Sequence, residues 1–493
     1  MHAVWNGGSL RGLEALPVKV EVQMSRSLPG IAMVGLAGAA TRESRDRVLG
    51  ALRECGFRSP AGKVTVNLAP AEEPKEGSGF DLAIALGILE VSRQIQVRRG
   101  RHWWVLGELG LDGRLLPVRG ALVLGRAAIR NGAEGVLFPP GNAAEMEQLE
   151  GITLGVLNTL PEVVDWVEGR RQADPLVKSA RRSRSSSDRK GMLIDRIEGH
   201  DRLKNALLVA AAGGHHVLLV GPPGNGKTLL ARAMRELLPA LNPKEEGEVL
   251  ALRSLAGLPL RQDGMRPFRA PHHSLSIAGL LGTLGRGGRP GELALAHRGL
   301  LFLDELPEFN RTVLESLRQP MEEGAYTLSR GAGRIRWPAK FQLAAAMNPC
   351  PCGQLLRGGE HCRCSPPQVK RYLGRISGPI LDRIDMILEV PQWREAMKSS
   401  SPSLPISRER ASEARCRLVE DPPQLTENLS GWLDEQLSGF GASFRLRTKT
   451  RSLALTLAAL EDSSSVSRGN LLEALDYSLQ FRTRLNELST TSS

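Results

Sequence analysis

One eight-residue segment constrains this chain more than any other. Residues 221–228 read GPPGNGKT; the apolar run Val217–Val220 precedes them and a stretch with helical character, 229–238, follows. Strand, glycine-rich loop and helix in this order are the context in which the pattern GxxxxGK[ST] cradles phosphates, with Lys on the β- and γ-phosphates and Thr on Mg²⁺. The sequence therefore predicts a site for ATP and Mg²⁺ formed by Gly221, Pro222, Pro223, Gly224, Asn225, Gly226, Lys227 and Thr228.

Two later apolar runs end in polar residues that suit the same site. Leu300–Leu303 is followed by Asp304 and Glu305, and the run 341–347 is followed by Asn348. Adjacent acids at the end of a buried strand are costly unless they have a function. We expect Asp304 to hold Mg²⁺ through water, Glu305 to polarise the attacking water and Asn348 to position it, although Asn348 alone would read as a turn residue. Together these residues predict an AAA+ ATP hydrolase with a parallel sheet.

Enzymes of this class complete their site with an arginine from a neighbouring subunit. The candidate is Arg383, in the segment 381–385 (LDRID). The alternative is a salt bridge from Arg383 to Asp382 or Asp385. The distinction matters because such an arginine changes the rate by about 10³–10⁵-fold where it has been measured.

Four of the six cysteines lie within fifteen residues, at Cys350, Cys352, Cys362 and Cys364. Four thiolates suit a tetrahedral structural Zn²⁺, although the CxC–x9–CxC spacing is less diagnostic than paired CxxC motifs. His361 could replace one cysteine, and reduced thiols without metal are the alternative. Because the cluster lies between Asn348 and Arg383, a metal there would brace the segment that joins them.

Composition excludes several classes of protein. Apolar residues make up 41% and charged residues 24%, which is ordinary for a globular chain. Lys and Arg number 65 against 53 Asp and Glu, giving a net charge of +12 that favours a polyanionic partner. No run of about 18 apolar residues predicts a membrane helix, and the N-terminus lacks a secretion signal, so we expect a cytoplasmic protein.

The chain divides by pattern into an α/β region, a linker, a second α/β region and a helical end. The expected boundaries are 1–175, a basic serine-rich linker at 176–190, an ATPase core at 191–394 that contains the cysteine insert 350–364, a connector at 395–430 and a helical lid at 431–493. The linker composition cannot bury a core; its charge serves solvation alone or a weak hold on a phosphate backbone. Strands are expected at 18–22 and 63–68, with helices at 41–55, capped by Thr41, and at 81–91.

Five motifs resemble those of one family closely. They are 266–273 (RPFRAPHH), 290–297 (PGELALAH), 303–309 (LDELPEF), 347–353 (MNPCPCG) and 377–385 (SGPILDRID). The chain resembles the ComM/YifB family of magnesium-chelatase-like AAA+ ATPases from about residue 15 to 393 and, more faintly, from 430 to 482. The resemblance implies a ring, a hexamer, that moves on DNA and drives branch migration during natural transformation. It also implies that Arg383 acts in trans and that Arg445, in the segment Ser443-Phe444-Arg445, belongs to a second sensor.

The N-terminal region resembles the Lon-protease-like fold, of the ribosomal S5 domain 2 type. The segments 74–79 (PKEGSG) and 107–118 (GELGLDGRLLPV) carry the similarity. Gly79 and Leu122 stand where Lon peptidases have the Ser and Lys of the catalytic dyad, and Ser78 and Lys75 are out of register. We therefore expect no peptidase activity, because neither side chain supports nucleophilic attack, and a role in oligomerisation or DNA handling.

Candidate DNA contacts come from two basic segments. Residues 328–340 carry four basic residues and no acid, and relatives have a β-hairpin here that points into the ring's pore. With 331–333 as its tip, the hairpin would offer phosphates Arg330, Arg334, Arg336 and Lys340, while Trp337 is expected to pack. The segment 266–273 offers Arg266 and Arg269, together with His272 and His273, which could instead be structural or bind metal. Such backbone contacts predict sequence-independent, salt-sensitive binding.

Three other functions stay open from the sequence. A chelatase-type motor would insert a metal into a tetrapyrrole, but that role usually needs a partner with an acidic metal-binding domain, and the chain has no DxSxS motif. An ATP-dependent assembly switch would scaffold other recombination proteins without moving on DNA. A peptidase is disfavoured by the missing dyad.

Overall fold

The computed structural model describes residues 1–34, 38–70, 79–176, 192–260, 264–285, 287–330, 333–357, 361–392, 406–438 and 443–480. The predicted linker 176–190 lies outside the described residues apart from residue 176. None of the described helices is long and apolar enough to cross a membrane.

The N-terminal region is a mixed eight-stranded sheet with helices packed on it. The strand order is β10-β9-β8-β5-β1-β2-β4-β3. Its main strands and the short hairpin β6–β7 are β1 (His2–Arg11), β2 (Glu14–Ser25), β3 (Gly30–Val34), β4 (Lys63–Ala69), β5 (Trp103–Val105), β6 (Glu108–Leu109), β7 (Leu115–Leu116), β8 (Gly135–Phe138), β9 (Thr153–Val156) and β10 (Asp174–Pro175). Alternating burial along β1 and β4 leaves one face of this sheet apolar, and that face needs a cover.

Five helices belong to this region: α1 (Gly38–Glu54), α2 (Asp81–Val91), α3 (Ala121–Arg130), α4 (Ala143–Met146) and α5 (Leu160–Val167). The helix predicted at 81–91 is confirmed with those bounds. It is buried along almost its whole length because it is apolar on every side. The helix predicted at 41–55 begins earlier, at Gly38, so the expectation that Thr41 caps it was wrong.

The central region is built on a five-stranded sheet in the order β12-β15-β18-β11-β19, all parallel. Its strands are β11 (Val217–Val220), β12 (Phe268–Arg269), β15 (Leu300–Leu303), β18 (Gln342–Met347) and β19 (Met386–Glu389). β18 lies between the phosphate-loop strand β11 and the acid-bearing strand β15. An additional strand between these two is the arrangement of the AAA+ class that the sequence predicts, and it brings the carboxyl ends of three strands to one edge.

Helices and two hairpins surround this sheet. The helices are α6 (Asp201–Gly213), α7 (Lys227–Leu237), α8 (Pro243–Ala256), α9 (Ile277–Leu281), α10 (Glu292–Leu295), α11 (Arg311–Glu315), α12 (Arg318–Glu323), α13 (Pro366–Leu373) and α14 (Gly378–Leu381). The antiparallel hairpins pair β13 (Gly282–Thr283) with β14 (Arg289–Pro290) and β16 (Ala325–Arg330) with β17 (Gly333–Pro338). The hairpin expected within 328–340 is thus present, and Trp337 packs as expected, with no exposed surface.

The C-terminal region is helical: α15 (Arg408–Glu420), α16 (Glu427–Ser438), α17 (Phe444–Leu460) and α18 (Arg468–Leu475), followed by one π-helical turn, Asp476–Gln480. The segment 395–430, expected to be a connector, contains α15. The buried Ala411 and Ala414 of α15 join the core shared by α6 and α17. The proline- and serine-rich start of that segment, 395–405, lies outside the described residues.

The N-terminal and central regions share one hydrophobic core, in which α3 packs against α8. Arg119 Nη1 donates to the carbonyl of Gly288 at 2.9 Å, and Arg126 Nη1 donates to the carbonyl of Gly247 at 3.1 Å. The backbone N–H of Gly12, in the turn between β1 and β2, donates to the carbonyl of Gly287 at 3.0 Å. The N-terminal sheet is therefore docked against the central sheet through apolar contacts and through hydrogen bonds to backbone carbonyls.

Candidate functional site

The phosphate loop connects β11 to α7 at the carboxyl edge of the central sheet. Gly224 and Gly226 have φ values of 81° and 76°, the left-handed region that glycine adopts without steric cost. A Cβ on Gly221 would meet the carbonyl oxygen of Val390 at 2.5 Å, so only glycine fits between this loop and the chain after β19. Asn225 Nδ2 donates to the carbonyl of Pro391 at 3.1 Å and fixes the loop to the same segment.

Lys227 lies inside this loop, with 9% of its surface exposed. Its Nζ donates to the carbonyls of Gly221 and Pro222 at 2.7 and 2.8 Å and to Asn348 Oδ1 at 3.1 Å. Burial lowers the pKa of Lys227, while the carboxylates of Asp304 and Glu305 act in the opposite direction. The amine thus links the loop to the residue after β18, at the place where a nucleotide's phosphates would lie.

The two residues predicted to hold Mg²⁺ are in contact. Thr228 Oγ1 donates to Asp304 Oδ2 at 2.8 Å, across the gap between the start of α7 and the end of β15. A hydroxyl and a carboxylate are the oxygen ligands that Mg²⁺ takes together with water and substrate phosphates. Both side chains are available to such an ion, and no further chain movement is needed to bring them together.

Glu305 follows Asp304 in a left-handed conformation with φ of 53°. A non-glycine residue at this angle is strained and is held only by its surroundings. Its carboxylate lies 3.4 Å from Nδ1 of His273, whose ring packs against His272 and against the edge of Phe309. The sequence predicts His273 as one of the candidate DNA contacts. Its position after β12, a strand beside β15, was the signal that could have placed it here.

Arg383 and Arg445 lie away from the residues that surround the phosphate loop. β19 runs parallel to β11 with Val217 opposite Met386, so Arg383, three residues before Met386, lies at the opposite edge of the sheet. A strand of four residues spans about 13 Å. Arg383 is therefore out of reach of its own phosphate loop, and Arg445 lies beside it because both arginines bind Glu322. The predicted alternative partners of Arg383, Asp382 and Asp385, are replaced by Glu322.

The four clustered cysteines converge as predicted. Their sulfurs all lie within 4.8 Å of one another, and the pairs 350–352, 350–362 and 352–362 are separated by 3.4, 3.7 and 3.7 Å. Zn–S bonds of about 2.3 Å put the sulfurs of a tetrahedron about 3.8 Å apart. Cys350, Cys352, Cys362 and Cys364 are therefore compatible with a Zn²⁺ site.

The surroundings shift the pKa values of two of these thiols in opposite directions. Partial burial acts against the Cys352 thiolate, but the backbone N–H groups of Gln354 and Arg363 donate to it and lower its pKa to about 6. Burial raises the pKa of Cys350 to about 12. A coordinated metal would hold both as thiolates at neutral pH.

The cysteine turn touches the phosphate loop. Gly353, with φ of 75°, lies so close to Pro223 that a Cβ on it would be 2.5 Å from Pro223 Cδ.

We expect Cys350→Ser to remove bound zinc and to lower the melting temperature by about 5 °C or more, because a structural metal contributes directly to folding. Metal analysis and thermal unfolding check this. Cys416→Ser, an exposed cysteine on α15, is the control, and equal zinc content in both variants would refute the site.

The hairpin β16–β17 presents arginines on one face. Along β17, Arg334 and Arg336 are exposed, whereas Ile335 and Trp337 are buried. Ile335 packs beside Gly12 of the N-terminal turn and beside Gly288. Lys340, beyond the hairpin, is also exposed. The alternation of the strand therefore turns the basic side chains away from the protein, while the side chain of Arg330 and the tip 331–332 lie outside the described part of the structure.

Arg266 and Arg269 have partners inside the protein. Arg266 is 9% exposed; it donates to the carbonyls of Pro239 and Arg298 and forms an ion pair with Glu245 at 3.0 Å. Arg269 forms a two-pronged ion pair with Glu292, at 2.6 and 2.5 Å. Both guanidinium groups hold the segment before β15 in place, which corrects their assignment as phosphate contacts.

Comparison with known proteins agrees with this geometry. The family model described as "Magnesium chelatase, subunit ChlI" matches residues 194–398, and the model "Subunit ChlI of Mg-chelatase" matches residues 20–142. The chain is 38% identical to the competence protein ComM of Haemophilus influenzae over 496 residues, which cover 96% of each chain. It is also 38% identical to the uncharacterized protein YifB of Salmonella typhimurium over 488 residues, 94% of this chain and 95% of the relative.

The chain belongs to the ComM/YifB family of magnesium-chelatase-like proteins. The matched residues include both sheets, so the phosphate loop and the N-terminal region lie in one continuous length of chain that is similar to these relatives. A further match, 27% identity over 172 residues, is to Lon protease 2 of Bacillus subtilis and covers 33% of this chain.

The two positions predicted to correspond to the Lon dyad, Gly79 and Leu122, carry no side chain suited to nucleophilic attack. Leu122, on α3, is fully buried in the core between the two sheets. Beside Gly79 the nearest side chain to the position of a Cβ is that of Val118, at 3.7 Å. Ser78 and Lys75 lie outside the described residues. Leu122 thus serves packing between the two regions.

Proposed function

We propose that this chain is a cytoplasmic AAA+ ATP hydrolase that works on DNA as a homo-oligomeric ring, a hexamer, and drives branch migration in recombination. One observation supports the hydrolase activity: four polar side chains meet in pairs at one edge of the central sheet. Lys227 Nζ donates to Asn348 at 3.1 Å, and Thr228 Oγ1 donates to Asp304 at 2.8 Å. Glu305 follows Asp304 in the chain. Phosphoryl transfer to water needs little beyond such positioning and charge.

In this proposal Thr228 and Asp304 hold Mg²⁺, which would neutralise charge on the β- and γ-phosphates. When nucleotide binds, the amine of Lys227 leaves the carbonyls of Gly221 and Pro222 and donates to the phosphates instead. Charged phosphate oxygens bind an ammonium group more strongly than neutral carbonyl oxygens do. Glu305 orients and polarises the attacking water, and Asn348 positions it. His273, 3.4 Å from Glu305, sets the direction of that carboxylate.

The ring is supported by the place of Arg383. An ATPase of this class needs a cation at the γ-phosphate in addition to the lysine, and in this chain Arg383 lies at the far edge of its own sheet. A head-to-tail arrangement brings that edge of one copy to the phosphate loop of the next, and such an interface closes into a ring when its rotation allows. The number six comes from the family resemblance.

The role on DNA is supported by three observations. The net charge is +12, the hairpin β16–β17 exposes Arg334 and Arg336, and a relative covering 96% of the chain is named a competence protein. We propose Arg330, Arg334, Arg336 and Lys340 as phosphate contacts and leave out Arg266 and Arg269, whose guanidinium groups are held within the protein.

A chelatase-type motor is the second candidate, because both matching family models describe magnesium chelatase subunits. An ATP-dependent assembly switch would use the same site. The steady-state ATPase rate with and without single-stranded and forked DNA separates them. Stimulation by DNA that fades with salt supports the motor on DNA, whereas a robust rate indifferent to every DNA favours a protein partner or a chelatase-like substrate.

The hairpin arginines give a separate prediction. On single-stranded DNA each phosphate contact contributes about 0.7 to the slope of log K against log salt, so Arg334→Ala with Arg336→Ala should reduce the size of that slope by about 1.4. The weakening should be equal on DNA of any sequence. Titrations of labelled single-stranded DNA at several salt concentrations measure this. Arg53→Ala with Arg58→Ala removes the same charge from exposed positions near α1; an equal loss of slope in that control would refute the hairpin as the binding surface.

A further inference from the structure

Two arginines from distant parts of the chain share one carboxylate oxygen. Glu322 Oε1 accepts from Arg383 Nη2 at 2.5 Å and from Arg445 Nη2 at 2.6 Å. The side chain of Arg383 is 8% exposed, that of Arg445 is 51% exposed, and that of Glu322 is 44% exposed. Because the two guanidinium groups repel each other, each is held less strongly than it would be by Glu322 alone.

Arg383 is withdrawn into the protein. Besides Glu322, it binds the carbonyl of Pro379, to which Nη1 donates at 2.7 Å. Its buried Nε–H has no acceptor within the described residues. A guanidinium held in this way cannot touch a phosphate on a second copy until it leaves Glu322.

Glu322 lies immediately before the basic hairpin. α12 ends at Glu323, the chain turns at Gly324 with φ of 64°, and β16 begins at Ala325. The carbonyl of Gly324 accepts from the N–H of Ala339 at 2.7 Å, which ties the end of α12 to the base of the hairpin. A displacement of the hairpin would therefore be transmitted to the last turn of α12 and to Glu322.

We propose that Glu322 is a positioning residue that withholds Arg383 from the neighbouring nucleotide until DNA engages the hairpin. Arg445 acts through Glu322: it keeps the half-exposed carboxylate paired when Arg383 leaves. Arg445 is then not a nucleotide sensor, the role that the family resemblance implies for it. This assignment rests on the proposed ATP-dependent ring and specifies how DNA regulates it.

The test compares ATPase rates of Glu322→Gln, Arg445→Ala and the double variant, with and without single-stranded DNA. Glu322→Gln weakens the hold on Arg383, so kcat without DNA should rise about fivefold and the stimulation by DNA should shrink towards none. In Arg445→Ala the carboxylate of Glu322 pairs with Arg383 alone and holds it more strongly. The kcat should therefore fall about fivefold while the KM for ATP is unchanged. In the double variant kcat should return to at least the wild-type value.

Matched controls lie on the same two helices. Glu323→Gln removes a charge from α12 that faces Gln319, and Arg447→Ala removes an arginine of α17 that pairs with Asp434; neither should change kcat or the stimulation. Thermal unfolding of every variant shows that it is folded. Glu322→Asp, with a shorter carboxylate, should lie between wild type and Glu322→Gln.

The outcomes separate this assignment from the proposed function. A wild-type chain without ATPase activity would overturn both. Suppose instead that the wild type is active, that Arg445→Ala raises the KM for ATP and that adding Glu322→Gln does not restore the rate. This result would show that Arg445 contacts nucleotide, and it would overturn this assignment alone. So would Glu322→Gln that lowers the rate without DNA, because Glu322 would then only brace the fold.

Discussion

Glu305→Gln should keep ATP binding and ring assembly while the rate of hydrolysis falls by about 10²–10⁴-fold, the range contributed by a positioned general base. The amide has the same shape as the carboxylate but cannot accept the proton of the attacking water. Thr228 and Asp304 keep their contact, so Mg²⁺ and nucleotide still bind. Fluorescent-nucleotide binding, sizing in the presence of ATP and steady-state phosphate release measure the three properties on one sample.

The matched control is Glu308→Gln, three residues further along the same turn. Glu308 pairs with Arg375 at 2.7 Å and makes none of the contacts described for the phosphate loop, so its variant should hydrolyse ATP at the wild-type rate. If Glu305→Gln hydrolysed ATP normally, the assignment of the water-activating residue would be wrong. A loss of nucleotide binding in that variant would instead mean that Glu305 supports the loop.

Local chemistry explains why the centre of the site could be predicted. The phosphate loop and the acids after β15 depend on residues close in sequence, and parallel strands place their carboxyl ends at one edge. Because Asp304 and Asn348 follow neighbouring parallel strands, their approach to Thr228 and Lys227 can be expected from the sequence pattern alone. The buried helix Asp81–Val91 was predictable for a similar reason: a helix that is apolar on every side is stable in a soluble domain only when it is buried in the core.

Charged side chains were harder to predict because their partners lie far away in sequence. Arg266 reads as an exposed cation in its motif, yet Glu245, twenty-one residues earlier, and two carbonyls enclose it. Arg445 meets Glu322 across 123 residues. A sequence shows which residues carry charge, but tertiary packing decides whether that charge faces a ligand or an internal partner.

Sheet topology provides the basis for the second large effect, at Arg383. Since Arg383 lies at the far edge of its own sheet, Arg383→Ala should lower ATP turnover by about 10³-fold or more while leaving nucleotide binding in the same chain intact. Lys227→Ala should have the opposite effect: the variant should not bind ATP, but it should still offer an intact Arg383 to the neighbouring copy. Each variant alone should be nearly inactive.

Mixing the two variants tests whether the arginine acts between copies. In a randomly mixed ring, about a quarter of interfaces pair an intact phosphate loop with an intact Arg383, so the mixture should recover up to about a quarter of the wild-type rate. Arg375→Ala, an arginine that binds Glu308 within its own chain, needs no such complementation and controls for the loss of a positive charge. If Arg383 served only its own fold, the mixture would be as inactive as its components, because no intact loop would meet a working arginine.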